Sequence, residues 1–186
     1  MKKLSPSMSW IVKDDNPIIR TKAQICQFPL NSEDQNFLDK MIAYVDASYN
    51  NLADKYDIRP GVAIAANQVG WLKQVIYLHF DDEFGKEVHW CLANPEIIKK
   101  SDEIAYLSYG EGCLSVPNDH SGIVPRISNI QVKAFDIFNN KEILIDASGY
   151  RAIVLQHEID HLNGILYYDH INVIDPHFTN KQWKKL

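Results

Sequence analysis

The chain has 186 residues, 46% of them hydrophobic and 23% charged, proportions of an ordinary folded domain that exclude a disordered chain. Surface scaling lets one domain of this size bury about 70% of its unfolded surface, enough for a core without staples, so residues 1–186 are read as one domain. Nineteen basic against 24 acidic side chains leave a net charge of −5, which argues against nucleic-acid binding through bulk positive charge.

No stretch approaches the ~20 apolar residues of a membrane helix. Met1–Asn16 opens with Lys2 and Lys3 but has no apolar run behind them, so neither a secretory signal nor a transit peptide is expected. Cys26, Cys91 and Cys113 are odd in number and lack CxxC spacing, which predicts free thiols and a cytoplasmic protein.

In chain order, the first thirty residues read as irregular, with Pro17 and Pro29 interrupting them. Ser32-Glu33-Asp34-Gln35 has the Ser-x-x-Gln form of a capping box. Behind it Phe37, Met41, Val45, Leu52 and Tyr56 recur near helical spacing, predicting one amphipathic helix over about 33–55. Val62–Ala66 is a small, apolar run, and Val75–Leu78 reads as a buried strand. Val88–Leu92 and Ile104–Leu107 are further strand candidates, and Ile130–Asp146 reads as a β-hairpin turning at Asn139-Asn140. A second helix is predicted from Ser148 or Gly149 to Asn163, with Gly164 at its C-terminus. Hairpins and separate helices, without alternating βαβ units, favour an α+β fold. Its expected form is antiparallel sheets and hairpins around a central metal-binding helix, with an N-terminal amphipathic helix.

The strongest chemical signal lies on the second helix, in His157-Glu158-Ile159-Asp160-His161. Positions i and i+4 share a helix face, so both imidazoles can reach one metal ion. Glu158 sits about 100° round the helix from His157, where a carboxylate can move a proton to or from a water at the metal. A third ligand is needed. His170 and His177 lie downstream, whereas Cys113 lies upstream in Glu111-Gly112-Cys113-Leu114-Ser115. Taken alone, Cys113 reads more readily as a small buried hydrophobe than as a ligand. Gln68 ends the small-residue run Gly61-Val62-Ala63-Ile64-Ala65-Ala66-Asn67-Gln68; a buried amide can donate to oxygen charge developing during carbonyl attack.

Together the three segments resemble the peptide deformylase family, whose pattern runs Gly-x-Gly-x-Ala-Ala-x-Gln, then Glu-Gly-Cys-Leu-Ser, then His-Glu-x-Asp-His. Val124-Pro125-Arg126, Gln156 and Leu162-Asn163-Gly164 are similar to the family as well, and the likeness spans about residues 59–171. The long spacer between Gln68 and Glu111 looks like the longer-insertion, Gram-positive type. Ala63 stands where the family pattern has its second glycine, from which altered affinity is expected.

The resemblance implies one divalent metal ion per chain, ferrous in the cell, with zinc, nickel or cobalt able to occupy the site. Its ligands would be Cys113, His157 and His161. The implied reaction is removal of the N-formyl group from the initiator methionine of new polypeptides, with Glu158 as base and then acid. Gln68 and the Leu114 backbone N–H would hold the oxyanion. Substrate would add as an extended strand between the first two motifs, against Gly61, Val62, Ala63, Glu111 and Gly112. Ile153, one turn before His157, and Val62 are candidate walls of a methionine pocket, with plain core packing as the alternative for each. Glu111 and Arg126 would pair to hold the loop. Transient ribosome contact through Lys181, Lys184 and Lys185 is a further expectation; sequence-specific nucleic acid and membranes are not expected partners. A zincin-type endopeptidase and a non-catalytic metal or peptide-binding module remain as rivals; the first has no use for Cys113 and the second none for Glu158.

Overall fold

The computed structural model describes residues 4–186, so the first three residues of the Met1–Asn16 segment lie outside the described residues. The N-terminal stretch is irregular apart from two short 3-10 turns, Met8–Trp10 and Pro17–Arg20.

Helix α1, Ser32–Tyr49, is capped by Asn31, whose side chain accepts from the backbone N–H groups of Glu33 and Asp34. The cap is therefore one residue earlier than the Ser32 box expected from sequence. Asparagine satisfies two orphan donors at once, and Gln35 turns its amide to Asp39 instead. The single helix expected through Tyr56 is also broken. Asn51 takes a left-handed backbone with φ 58°, and a one-turn helix α2, Ala53–Tyr56, follows. Asparagine tolerates that conformation better than most residues, so the Asn50-Asn51 pair ends α1 despite apolar spacing continuing past it.

Eight strands follow: β1 Ala63–Ala65, β2 Val75–Asp81, β3 Glu87–Lys100, β4 Ile104–Tyr106, β5 Arg126–Ile127, β6 Asn129–Asp136, β7 Lys141–Ser148 and β8 Lys184–Lys185. A five-stranded antiparallel sheet has the order β1-β2-β3-β6-β7, and a small sheet the order β5-β4-β8. The β4–β8 pairing is parallel, a departure from the all-antiparallel expectation. It joins segments some eighty residues apart, which local sequence pattern does not reveal. Strand β3 runs well beyond the expected Leu92. It bends at a register shift between Ala93 and Glu96, where Asn94 has positive φ and Pro95 follows without an N–H to give.

Helix α3, Gly149–Leu162, packs on one face of the large sheet and α1 on the other. Period-2 alternation divides β2 between them. Ile76, Leu78 and Phe80 join Leu155, Ile159 and Leu162 in one core, while Val75 and Tyr77 join Met41, Tyr44 and Val45 in the other. With both faces covered, β2 is buried at every position but its last. Its apolar run is thereby explained without a parallel sheet. Cys26, Cys91 and Cys113 are all buried free thiols.

Candidate active site

Three segments distant in sequence meet beside α3. His157 and His161 lie one turn apart on it, with their Nε2 atoms 3.2 Å from each other. Cys113 Sγ lies 3.2 Å from His161 Nε2. All three donor atoms fall within 4.8 Å of one another, so of the third-ligand candidates the fold brings Cys113 to the pair. His170 instead turns to Asp160, with Nε2 2.7 Å from the carboxylate, and His177 is exposed.

The donor set fits a metal cation. One soft thiolate and two imidazoles are the ligand types that zinc and ferrous iron accept. His157 presents Nδ1 to Glu111 Oε2 at 2.8 Å, the carboxylate–histidine arrangement that fixes ring orientation in metal sites. The electrostatics agree. Burial disfavours charge on His157, yet hydrogen bonds to Cys113 and Glu111 raise its pKa well above the ordinary histidine value, so this corner attracts positive charge. Burial, with help from His157 and Arg126, pushes His161 well below that value, keeping it in the neutral form that ligates.

Glu111 is anchored by Arg126, which donates from Nε and Nη2 to its two oxygens at 2.8 and 2.9 Å. Burial would raise the Glu111 pKa, but the Arg126 charge and these bonds hold it at about 2. Arg126 also bonds Asp160 from Nη1. Sequence reading anticipated the Glu111–Arg126 pair but not its continuation through Asp160 to His170, although Asp160 stands inside the helical motif. Asn67, noted only as part of a run, donates to the His161 carbonyl in the last turn of α3 and to the Ile19 carbonyl.

Glu158 is buried, with Oε2 lacking any hydrogen-bond partner among the described residues. Burial is the main cause that raises its pKa to about 7. It faces a cleft of about 240 Å³. Gln68 lies in the 3-10 turn Ala66–Val69 that follows β1. Its Oε1 accepts from Ala65 N at 2.8 Å, which turns Nε2 towards Ser115 Oγ at 3.2 Å and Cys113 Sγ at 3.5 Å.

Gly61, Val62 and Ala63 of the first motif line the cleft together with Glu111, Gly112 and Leu114 of the second and Ile153 of α3. A Cβ at Gly61 would stand 3.0 Å from the Leu114 side chain, so glycine lets the two motifs approach. Ala63 is accommodated in β1 with its side chain buried. Arg59, Tyr109 and Tyr150 also line the cleft and were missed in sequence. Only Arg59 had a signal there, as the residue at which the family likeness begins, two positions before the first motif.

Fold and site together define a metal-dependent hydrolase: a cleft beside a sheet edge, a Cys-His-His donor set and a buried carboxylate next to it. The sequence model of the polypeptide deformylase family matches residues 8–177, and the chain belongs to that family. A peptide deformylase from Malacoplasma penetrans is 48% identical over 185 residues, covering 100% of this chain and 99% of that relative. One from Ureaplasma parvum is 50% identical over 184 residues, covering 98% and 92%. The crystal structure of peptide deformylase from Ehrlichia chaffeensis superposes with a TM-score of 0.71 at 27% identity, covering 92% of this chain and 90% of that one.

Proposed function

We propose that this chain hydrolyses the formamide bond of N-formylmethionyl peptides made by the ribosome, releasing formate and a free N-terminal amine. The observation that carries this reading is the convergence of Cys113, His157 and His161 beside a buried glutamate with an unpartnered oxygen. Those three residues would hold one divalent ion, ferrous iron in the cell, with zinc, nickel or cobalt able to replace it. The ion, when bound, supplies polarisation of the formyl carbonyl and activation of water. Glu158 takes a proton from the attacking water and passes it to the departing nitrogen as the C–N bond breaks.

Gln68 Nε2 and the Leu114 N–H donate to the oxygen that gains charge at the tetrahedral carbon. The Gln68 amide is pre-oriented, because its carbonyl is committed to Ala65 N. Among the described residues strand β1 has only β2 as a neighbour in its sheet. Its free edge is suited to an added substrate strand, which would run between Gly61–Ala63 and Glu111–Gly112. Val62 and Ile153, both lining the cleft, are assigned to the methionine side chain. Arg126 acts as support for Glu111 and, through it, His157.

The wider reading is one catalytic domain over residues 1–186, with α3 as its central element and α1 as its amphipathic N-terminal helix. It works in the cytoplasm and touches the ribosome transiently through Lys181, Lys184 and Lys185, without sequence-specific nucleic acid or membrane binding. The three buried free thiols are consistent with a reducing compartment. No helix of the described residues is long and apolar enough to cross a membrane.

Formate release from a formyl-Met tripeptide, by protein loaded anaerobically with iron or with nickel, tests the assignment. Glu158→Ala should bind the same amount of metal and lose about 10²–10⁴-fold in rate. Inactivity of the folded, metal-loaded wild type would overturn the proposal.

A further inference from the structure

We propose a second metal site, on the opposite face of the large sheet from the catalytic cleft, built from Asp46, His79 and His89 and suited to a divalent transition ion such as zinc. Asp46 Oδ1, one ring nitrogen of His79 and one of His89 lie within 4.8 Å of one another. None of the three belongs to the motifs that define the catalytic site.

The placement follows from register. His79 of β2 pairs directly with His89 of β3, and antiparallel partners put their side chains on the same face. That face is the one α1 covers, because Tyr77, two residues before His79, packs against α1 with Met41 and Tyr44. The imidazoles stack with centroids 4.1 Å apart, and α1 delivers Asp46, whose Oδ1 is 2.6 Å from His79 Nδ1. The alternate positions of β2, among them Leu78 and Phe80, face the core shared with α3, so the sheet separates the two sites.

Two further contacts match how metal ligands are supported. His79 places its other nitrogen, Nε2, 3.1 Å from Glu87 Oε1, the carboxylate partner that selects the tautomer with Nδ1 free to ligate. Buried Tyr77 donates its hydroxyl to Asp46 Oδ1 and lies 3.0 Å from His89 Nε2, which holds the carboxylate close to both rings. Two imidazoles and a carboxylate leave a fourth position for water, a set that zinc, nickel and copper accept. Binding replaces the proton shared by Asp46 and His79 and tilts the exposed His89 ring until its lone pair meets the same ion. The ion then ties α1 to the β2–β3 hairpin.

Isothermal titration of zinc into holoenzyme already carrying one zinc per chain tests this, with thermal melting and formate release as parallel readouts. The expected result is one further ion per chain and a melting temperature that rises with added zinc. His89→Gln and Asp46→Asn should each weaken that binding by about tenfold or more and lose the zinc-dependent rise. Exposed His89 makes His89→Gln the safe variant: it should melt as wild type does without added zinc and release formate at the wild-type rate. Absence of a further ion in the wild type, or its equal retention by His89→Gln, would overturn the proposal. The second outcome would place the ion elsewhere.

Discussion

Arg126 shows how much one buried cation controls around the candidate site. Its side chain is 3% exposed, and it bonds both Glu111 and Asp160. Replacing it with methionine removes the one cation shared by the two carboxylates and leaves each with only a histidine partner, His157 for Glu111 and His170 for Asp160. Breaking a buried pair in this way costs about 3–5 kcal/mol, and loss of Glu111 orientation should weaken metal binding by about 10–100-fold. Urea denaturation and chelator competition on Arg126→Met read the two effects separately; a variant matching wild type in both would remove the network from the account. Gln68→Ala removes one of the proposed donors to the developing oxyanion, so kcat should fall by about 10²–10³ with metal content unchanged. The surface pair Arg20–Asp169 offers a contrasting case. Burial would raise the Asp169 pKa, but its bond to Arg20 and the Leu166 N–H hold it below the ordinary carboxylate value. A depressed folded-state pKa gives stability that is present above the unfolded value and lost as pH falls through the folded one. The side chains are 36% and 35% exposed, so the effect at neutral pH is below about 1 kcal/mol. Denaturation of Asp169→Asn should show that difference at pH 7 and lose it in strong acid, and an undiminished difference there would exclude the ionic explanation.

Among the elements, α1 is where local pattern and tertiary structure part most clearly. Asn31 satisfies two N–H groups at its start, so Asn31→Ala should cost about 1 kcal/mol, whereas Ser32→Ala should be nearly neutral. Equal losses in the two variants would restore Ser32 as a cap. At the end of α3, Gly164 has φ 75°, and a Cβ there would stand 2.2 Å from the Arg20 carbonyl oxygen. The turn following the candidate metal-binding motif therefore depends on glycine for both conformation and space.

At the scale of the whole molecule, the candidate ligands come from two unconnected segments, and an ion they bind favours the folded chain over the unfolded one. Stabilisation by linkage reaches about 2.7 kcal/mol when free metal is a hundredfold above its dissociation constant. Chelation should accordingly lower the melting temperature of the metal-loaded protein, and melting indifferent to metal would contradict binding coupled to the fold. The sheet gives this architecture two chemically different faces: α3 carries the candidate catalytic residues on one, and α1 closes a polar cluster of Asp46, Tyr77, His79 and His89 on the other.

By itself the sequence determined the α+β class, the hairpin Ile130–Asp146, the extent of α3 and the three motifs, because each depends on periodicity, turn chemistry or spacing within a short segment. Tertiary structure decided what rests on contacts between distant residues. It set Cys113 against His161 across 48 positions, carried the Arg126 network on to His170, and paired β4 with β8. It also placed His79 opposite His89 under α1, an arrangement that strand register and helix docking create and that no local pattern encodes.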